Sequence, residues 1–223
     1  MNNPWLHVPL ADYEGHMALP GIEQAQLLSD IFSGVLEQFS PRSVAVIGCA
    51  GGNGFDRIPS SISRVVGVDL NPHFIAETET RFRGRVKNLE LVVGDIQSHE
   101  VSFAPVDLMF LGLVLEYVNV ETVIARTPSM LTANGHLATV LQLPSVSHRQ
   151  VSPSPFPTVQ ALGEVVHLVP PSRLQNAAET QGYVQLESRN VASKGGKQFQ
   201  LQVFAMPPNP SLQGTLRLSA ARP

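Results

Sequence analysis

Four glycines, Gly48, Gly51, Gly52 and Gly54, crowd the end of an apolar run within Val44 to Asp56 (VAVIGCAGGNGFD). Glycine at such a density lets backbone pass where a Cβ would block the approach or forbid the required φ. A β-branched strand that ends in such a loop is the layout of a cradle for a nucleotide-type cofactor, with a turn that binds nothing as the bland alternative. Asp69 stands 21 residues beyond Gly48, at the end of VVGVDL. There it can accept two hydrogen bonds from ribose hydroxyls, or merely cap a helix. Asp95, in VVGDI, suits an exocyclic amine such as that of adenine, with Ile96 packed on the ring, or it is a turn acid. Together the two acids point to an adenosine moiety.

These residues need a scaffold, and the chain alternates strands with helices at the spacing of a parallel sheet covered on both faces. Strands are expected at 44–47, 64–70, 89–93, 106–111 and 136–141. Apolar residues at steps of three and four from Pro20 to Phe39 predict an amphipathic helix with a proline in its first turn. Asn71-Pro72 opens a helix over 72–83, another covers 120–131 with Asn134-Gly135 as its stop, and Ser172 caps a third over 173–181 that Gly182 ends. Gly195-Gly196 is a hairpin signal between 183–191 and 198–204, so the sheet closes with an antiparallel pair. Ligands of such sheets sit at the carboxyl ends of the strands, where the Gly loop, Asp69, Asp95 and Gly112 converge. Residues 1–19 show no period and read as an arm. The Pro- and Ser-rich stretch 144–157 is either a solvated connector or a lid.

With 223 residues, 43% of them hydrophobic, the chain suits one compact domain. A net charge of -3 and the absence of a Lys/Arg run argue against a general phosphate-backbone binder. Cys49 is the single cysteine, so there is neither an internal disulfide nor a cysteine metal cluster, and no metal is expected. The most apolar stretch, Val106 to Val118, is 13 residues long and holds Asp107 and Glu116, too short and too charged to span a bilayer. No membrane partner is expected. The opening residues do not read as a signal peptide, so a cytoplasmic protein, monomeric or homodimeric, is the expectation.

Two cofactor classes share this layout. Gly48, Gly52 and Gly54 fit the glycine spacing of a short-chain dehydrogenase, but that chemistry needs a Tyr-x-x-x-Lys pair. Tyr13, Tyr117 and Tyr183 are followed four positions on by Met17, Glu121 and Glu187, so the pair is missing. The G-x-G-x-x-G spacing fails too, because Arg57 stands where the third glycine belongs.

In its order of motifs, VAVIGCAGG, VVGVDL, VVGDI and VDLMFLGLVLEYV, with GYVQLES and KQFQLQVF as a late hairpin, the chain resembles the class I S-adenosylmethionine-dependent methyltransferases over nearly all of residues 10–206. The resemblance implies an α/β, Rossmann-like fold, with a mostly parallel seven-stranded sheet, helices on both faces and a C-terminal antiparallel hairpin. The core is expected at 41–206, an N-terminal arm and helix at 1–40 over the cofactor site and a lid or substrate loop within 144–170, while 207–223, which has no apolar period, is expected to be a disordered tail. S-adenosylmethionine is the implied cofactor and S-adenosylhomocysteine its product. Gly48, Cys49 and Ala50 would pass backbone beside the methionine part, with Gly52, Asn53 and Leu70 also counted as cofactor-binding. Asp69 would take the ribose, Asp95 and Ile96 the adenine, and the Leu111 carbonyl the amino group. Two departures stand out: Val46 and Ala50 occupy positions where family members commonly have an acid and a glycine. They keep a non-catalytic cofactor-binding sensor or partner subunit as the alternative, with a nicotinamide-dependent oxidoreductase behind it.

Methyl transfer by in-line displacement gains chiefly from holding the nucleophile about 3 to 3.5 Å from the methyl carbon, so dedicated catalytic groups are few. A base is needed when the acceptor carries a proton. Of His16, Glu116, His148 and His167, each of which also has a structural reading, Glu116 and His16 rank first as catalytic candidates. Tyr13, Met17, Tyr117 and His148 are the substrate candidates. Leu111-Gly112-Leu113-Val114 stands where an Asn-Pro-Pro-Tyr type stretch would mark methylation of a planar amino group. A partly apolar small-molecule acceptor, and no nucleic acid, is therefore the expected partner.

Overall fold

In the structure, a computed structural model, residues 3–206 are described. The expected tail, 207–223, and residues 1 and 2 lie outside them. Within the described residues the sheet has seven strands: β1 (Ser43–Ile47), β2 (Arg64–Asp69), β3 (Leu89–Val93), β4 (Val106–Gly112), β5 (Leu131–Gln142), β6 (Val184–Ala192) and β7 (Gln198–Ala205). Their spatial order is β3-β2-β1-β4-β5-β7-β6. The first five run parallel, while β7 pairs antiparallel with both β5 and β6. This is the Rossmann-like architecture the motif order implies. The order reverses between β1 and β4, which opens a crevice at their carboxyl ends.

The central strands are continuous apolar runs because both faces are covered. Along β4, Leu108 and Phe110 pack with Val44 and Val46 against Leu28, Phe32 and Val35 of α2 (Gln24–Phe39). Met109 and Leu111 point the other way, with Ala45 and Ile47, toward Val123 and Ile124 of α4 (Val120–Arg126) and Leu174 of α6 (Pro171–Thr180), which follows the one-turn α5 (Pro157–Gln160). Asn71 caps α3 (Pro72–Phe82) by accepting from the His73 N–H at 2.9 Å.

Several boundaries differ from the sequence expectation. Residues 10–18, expected as part of an aperiodic arm, form α1 (Leu10–Ala18), preceded by a 3-10 turn at Pro4–His7. The helix expected from Pro20 starts at Gln24, because Gly21 and Glu23 take positive φ and turn the chain first. The helix over 120–131 stops at Arg126, where Pro128 enters a 3-10 turn, Thr127–Met130. Asn134-Gly135 does not end it: both lie inside β5, where Asn134 at φ 65° accompanies a bulge against β4. Ser172 is not a cap, since Pro170 holds that position and Pro171 opens α6.

The β6–β7 turn is held by Ser193 N–H to Lys197 C=O and Gly196 N–H to Ser193 C=O, both 2.9 Å. It also touches the α1–α2 connection: a Cβ built on Gly195 would lie 1.8 Å from the Gly21 carbonyl oxygen. Two backbones meet there, so a side chain at 195 forces them apart. Gly195→Ala is expected to lower stability by about 1 to 3 kcal/mol, a loss of several degrees in Tm. Gly163→Ala, whose Cβ would meet Val151 at an ordinary 3.9 Å, is the control. A midpoint that moves no further for Gly195→Ala than for the control would show that the turn yields freely.

Candidate functional site

One cavity runs along the carboxyl edge of the sheet from Asp69 and Asp95 to His16, Glu116 and Lys197. Its empty volume is about 1210 Å³, including the space at its open mouth.

At one end the strand termini present the Gly loop and the two acids. Gly48 holds φ +68°, and a Cβ there would lie 2.6 Å from a Val114 methyl. Only glycine leaves that passage clear. Ala50, the departure from the expected glycine, takes φ 48°, so the loop keeps a left-handed turn without it. Val46 is buried in the core, packed among the α2-side residues. Asp69 accepts from the Ala50 N–H (Oδ2, 2.9 Å) and the Asn71 N–H (Oδ1, 2.9 Å), bonds that fix the carboxylate at the cavity wall. Burial pushes its pKa up to about 6, against the pull of those N–H donors. Each oxygen keeps a lone pair for a ligand hydroxyl. Asp95 is oriented by the Gln97 N–H at 2.9 Å, and Gln97 in turn accepts from the Asn119 N–H at 2.8 Å. Ile96 lies beside it, 5% exposed.

The N-terminal segment roofs this end. Asn71 Nδ2 donates to the Trp5 carbonyl at 2.9 Å, Arg81 pairs with Glu14, and Thr158 Oγ1 donates to Asp12 Oδ2 at 2.6 Å. Trp5 meets Tyr13 and Tyr117 edge to face, with ring centroids 5.8 and 5.0 Å apart. Burial and the Asp69 charge push the Tyr13 phenol well up, so it remains a hydrogen-bond donor.

The other end is polar yet closed. Glu116, in the 3-10 turn Leu115–Tyr117 after β4, is 2% exposed. Its Oε1 accepts from the Gln142 N–H at 2.7 Å, while Oε2 is buried without a partner among the described residues. Burial raises its pKa to about 7. His16, on α1 and 5% exposed, likewise has an unpartnered buried Nδ1, and burial plus the nearby Lys197 charge hold its pKa below the usual value. Two buried groups able to take a proton therefore face one cavity.

Of the sequence candidates, the cavity gathers Gly48, Ala50, Asp69, Leu70, Asp95, Ile96, Glu116, His16, Tyr13, Met17 and Tyr117. Cys49 turns its side chain into the core, against Phe55, and burial keeps its thiol protonated. Gly52 packs on the Phe82 ring, and Asn53 Nδ2 reaches the Ala25 carbonyl at 3.4 Å, so both face α2 and α3 rather than the cavity. The Leu111 side chain belongs to the core, and Gly112, Leu113 and Val114 form the wall beside it. His148 lies outside the lining, its Nε2 2.9 Å from the Gly195 carbonyl oxygen. Sequence reasoning missed Gln24, Gln142, Gln150 and Lys197. The one available signal was Gln142, a polar residue inside the apolar run TVLQL.

The residues present fit an adenosyl cofactor: a glycine-only passage, two oriented carboxylates at successive strand ends and an aromatic roof. Comparison with known proteins agrees. Residues 46–137 match the family model described as a methyltransferase domain. No curated protein matches the chain in sequence. Among solved structures, the N-methyltransferase NodS from Bradyrhizobium japonicum WM9, in complex with S-adenosyl-L-homocysteine, is similar at 20% identity and TM-score 0.59, covering 93% of each chain. The magnesium protoporphyrin IX methyltransferase ChlM from Synechocystis PCC 6803, with bound SAH, is similar at 10% identity and TM-score 0.63, covering 82% of this chain and 83% of that one. The cyclase SpnF shares the fold at 12% identity and TM-score 0.63, covering 81% and 82%. At these identities the structural likeness speaks for the fold, and the methyltransferase domain in the sequence speaks for the chemistry. Residues 46–137 are thus similar to a methyltransferase domain, and the chain shares its fold with methyltransferases that bind S-adenosylhomocysteine.

Proposed function

We propose that this enzyme methylates a small molecule held at the His16–Glu116 end of the cavity, with the cofactor's adenosine along Asp69, Asp95 and Ile96 and its methionine part beside Gly48 and Ala50. When bound, S-adenosylmethionine supplies a methyl group on a sulfonium, which leaves as the neutral thioether S-adenosylhomocysteine. The observation that carries the reading is the continuity of the cavity: its adenosine-type end and its two unpartnered proton acceptors belong to one space.

In this reading Asp69 orients the ribose with a carboxylate already fixed by two backbone N–H groups. The Trp5–Tyr13–Tyr117 roof excludes water from that end. An acceptor hydroxyl, amine or thiol gives its proton to Glu116 Oε2, or to His16 Nδ1, as its lone pair takes the methyl. Val151 and Val166, from the segment after β5, hold the acceptor's apolar part. This segment thus serves as a substrate loop. No helix among the described residues is long and apolar enough to cross a membrane.

Thermal unfolding tests the cofactor half. S-adenosylmethionine and S-adenosylhomocysteine, at one hundred times their dissociation constants, should each stabilise the fold by about 2.7 kcal/mol, whereas NADPH leaves the midpoint unmoved. A panel of small amines, phenols, thiols and carboxylic acids, scored by release of S-adenosylhomocysteine, then finds the acceptor. Stabilisation by NADPH alone would overturn the reading.

A further inference from the structure

Lys197 is the one lysine that lines the cavity among the described residues, and its presence has no explanation in cofactor binding. It leaves the β6–β7 turn inward and is 4% exposed. Its Nζ donates to the Gln150 carbonyl at 2.8 Å and reaches Gln142 Oε1 at 3.4 Å. Both partners are neutral, and no ion pair forms at Lys197 among the described residues. Glu116 lines the same cavity, with Oε1 engaged by the Gln142 backbone and Oε2 unpartnered, and it makes no ion pair with Lys197. His16 is held toward its neutral form by burial and, second, by the Lys197 charge. A buried ammonium has three donors and is costly to leave without a counter-charge. This one faces an open space instead of a carboxylate.

We propose that Lys197 recognises a carboxylate on the methyl acceptor, so that the substrate is a small monoanionic carboxylic acid with a partly apolar body. The proposal rests on the reading that this end of the cavity holds the acceptor. One cation suits one negative charge; a more highly charged anion would bring surplus charge toward the Glu116 carboxyl. The carboxylate completes a charge-assisted hydrogen bond of the stronger kind. The apolar body lies on Val151 and Val166, the first next to the Gln150 whose carbonyl Lys197 already holds, the second next to His167, whose N–H donates to the Glu116 carbonyl. Recognition of the acid and placement of the segment after β5 are therefore one device. Burial lowers the Lys197 pKa to about 8, which leaves it mostly charged at neutral pH.

The competing role is purely structural, with Lys197 pinning the loop through Gln150. Calorimetric titration with benzoate and with its neutral isostere benzamide separates the two. S-adenosylhomocysteine is titrated first into the wild type and Lys197→Gln, and benzoate or benzamide second, into the saturated complexes. Benzoate is expected to bind the wild-type complex at least tenfold more tightly than benzamide, and Lys197→Gln to erase that preference. A second measurement needs no variant. Between pH 8 and 9.5 benzoate affinity should fall about tenfold as Lys197 loses its proton. In that range the other groups facing the cavity are past their titrations or short of them: His16, Asp69 and Glu116 lie lower, and Tyr13 and Tyr117 higher. Equal affinity for benzoate and benzamide, no benzoate binding to the wild-type complex, or a preference that survives Lys197→Gln would overturn the proposal. Any of those results with S-adenosylhomocysteine bound leaves the methyltransferase reading intact. Failure of the wild type to bind S-adenosylhomocysteine overturns that reading and the proposal with it.

Discussion

Asp69→Ala is expected to weaken S-adenosylhomocysteine binding about ten- to hundredfold in calorimetric titration, the largest loss from any single change at the cofactor end. In the variant water takes over part of the carboxylate's role toward the ribose hydroxyls, which leaves a net loss of roughly 1.5 to 3 kcal/mol, and about 1.4 kcal/mol is tenfold in affinity. Alanine also leaves the Ala50 and Asn71 N–H groups without their acceptor, which loosens the Gly loop and the start of α3 together. Asp69→Asn keeps one oxygen, and with it one of the two backbone bonds, while it removes the charge. A pH series adds a further check. Burial sets the Asp69 pKa at about 6, so the group that accepts both hydroxyls is lost as pH falls through that value. Affinity should weaken below pH 6 in the wild type and stay flatter in Asp69→Asn. Unchanged affinity in Asp69→Ala would place the ribose elsewhere.

The sequence carried the parts of this site that depend on chain order. A parallel strand buried on both faces must be a continuous apolar run, and the residues after it must form a loop at one edge, so glycines and acids after such runs declare both fold and cofactor end. The acceptor end depends on tertiary approach instead. α1 escaped detection because its apolar stripe is short: Tyr13 and Met17 pack against one cluster, Tyr13 also against a second, and Gly15 is the bed for the Phe156 ring, which would lie 2.6 Å from a Cβ there. Gln142 and Lys197 are polar residues on elements whose pattern is otherwise read from their apolar neighbours. Periodicity says where such elements run, but not which polar side chain a distant loop will enclose. Lys197 was visible only as part of a hairpin turn, and Gln150 only as part of a Pro- and Ser-rich connector.

Glu116→Gln should slow methyl transfer by at least a hundredfold while making the protein more stable above pH 7. Both effects come from one buried oxygen. Glu116 Oε1 keeps its bond from the Gln142 N–H in the glutamine variant, so the change falls on Oε2, the atom with no partner. Burial raises the carboxyl from 4.5 to about 7, so the folded state holds this proton more tightly than the unfolded chain does. The resulting stability is fully present below pH 4.5 and is lost as pH rises through 7, a difference of about 3 kcal/mol. Glutamine has no such proton to lose. Thermal unfolding of the two proteins from pH 4.5 to 8.5 should therefore show the variant gaining several degrees on the wild type at the alkaline end. Asp69 and Lys197 titrate in both proteins and cancel from the comparison. The same ionisation is what a base requires, so wild-type turnover of an acceptor from the screen should rise through pH 7 and the variant should lack that limb. A stability gain without loss of turnover would assign the proton to His16. Loss of turnover without the stability gain would mean that Glu116 is already ionised in the folded protein.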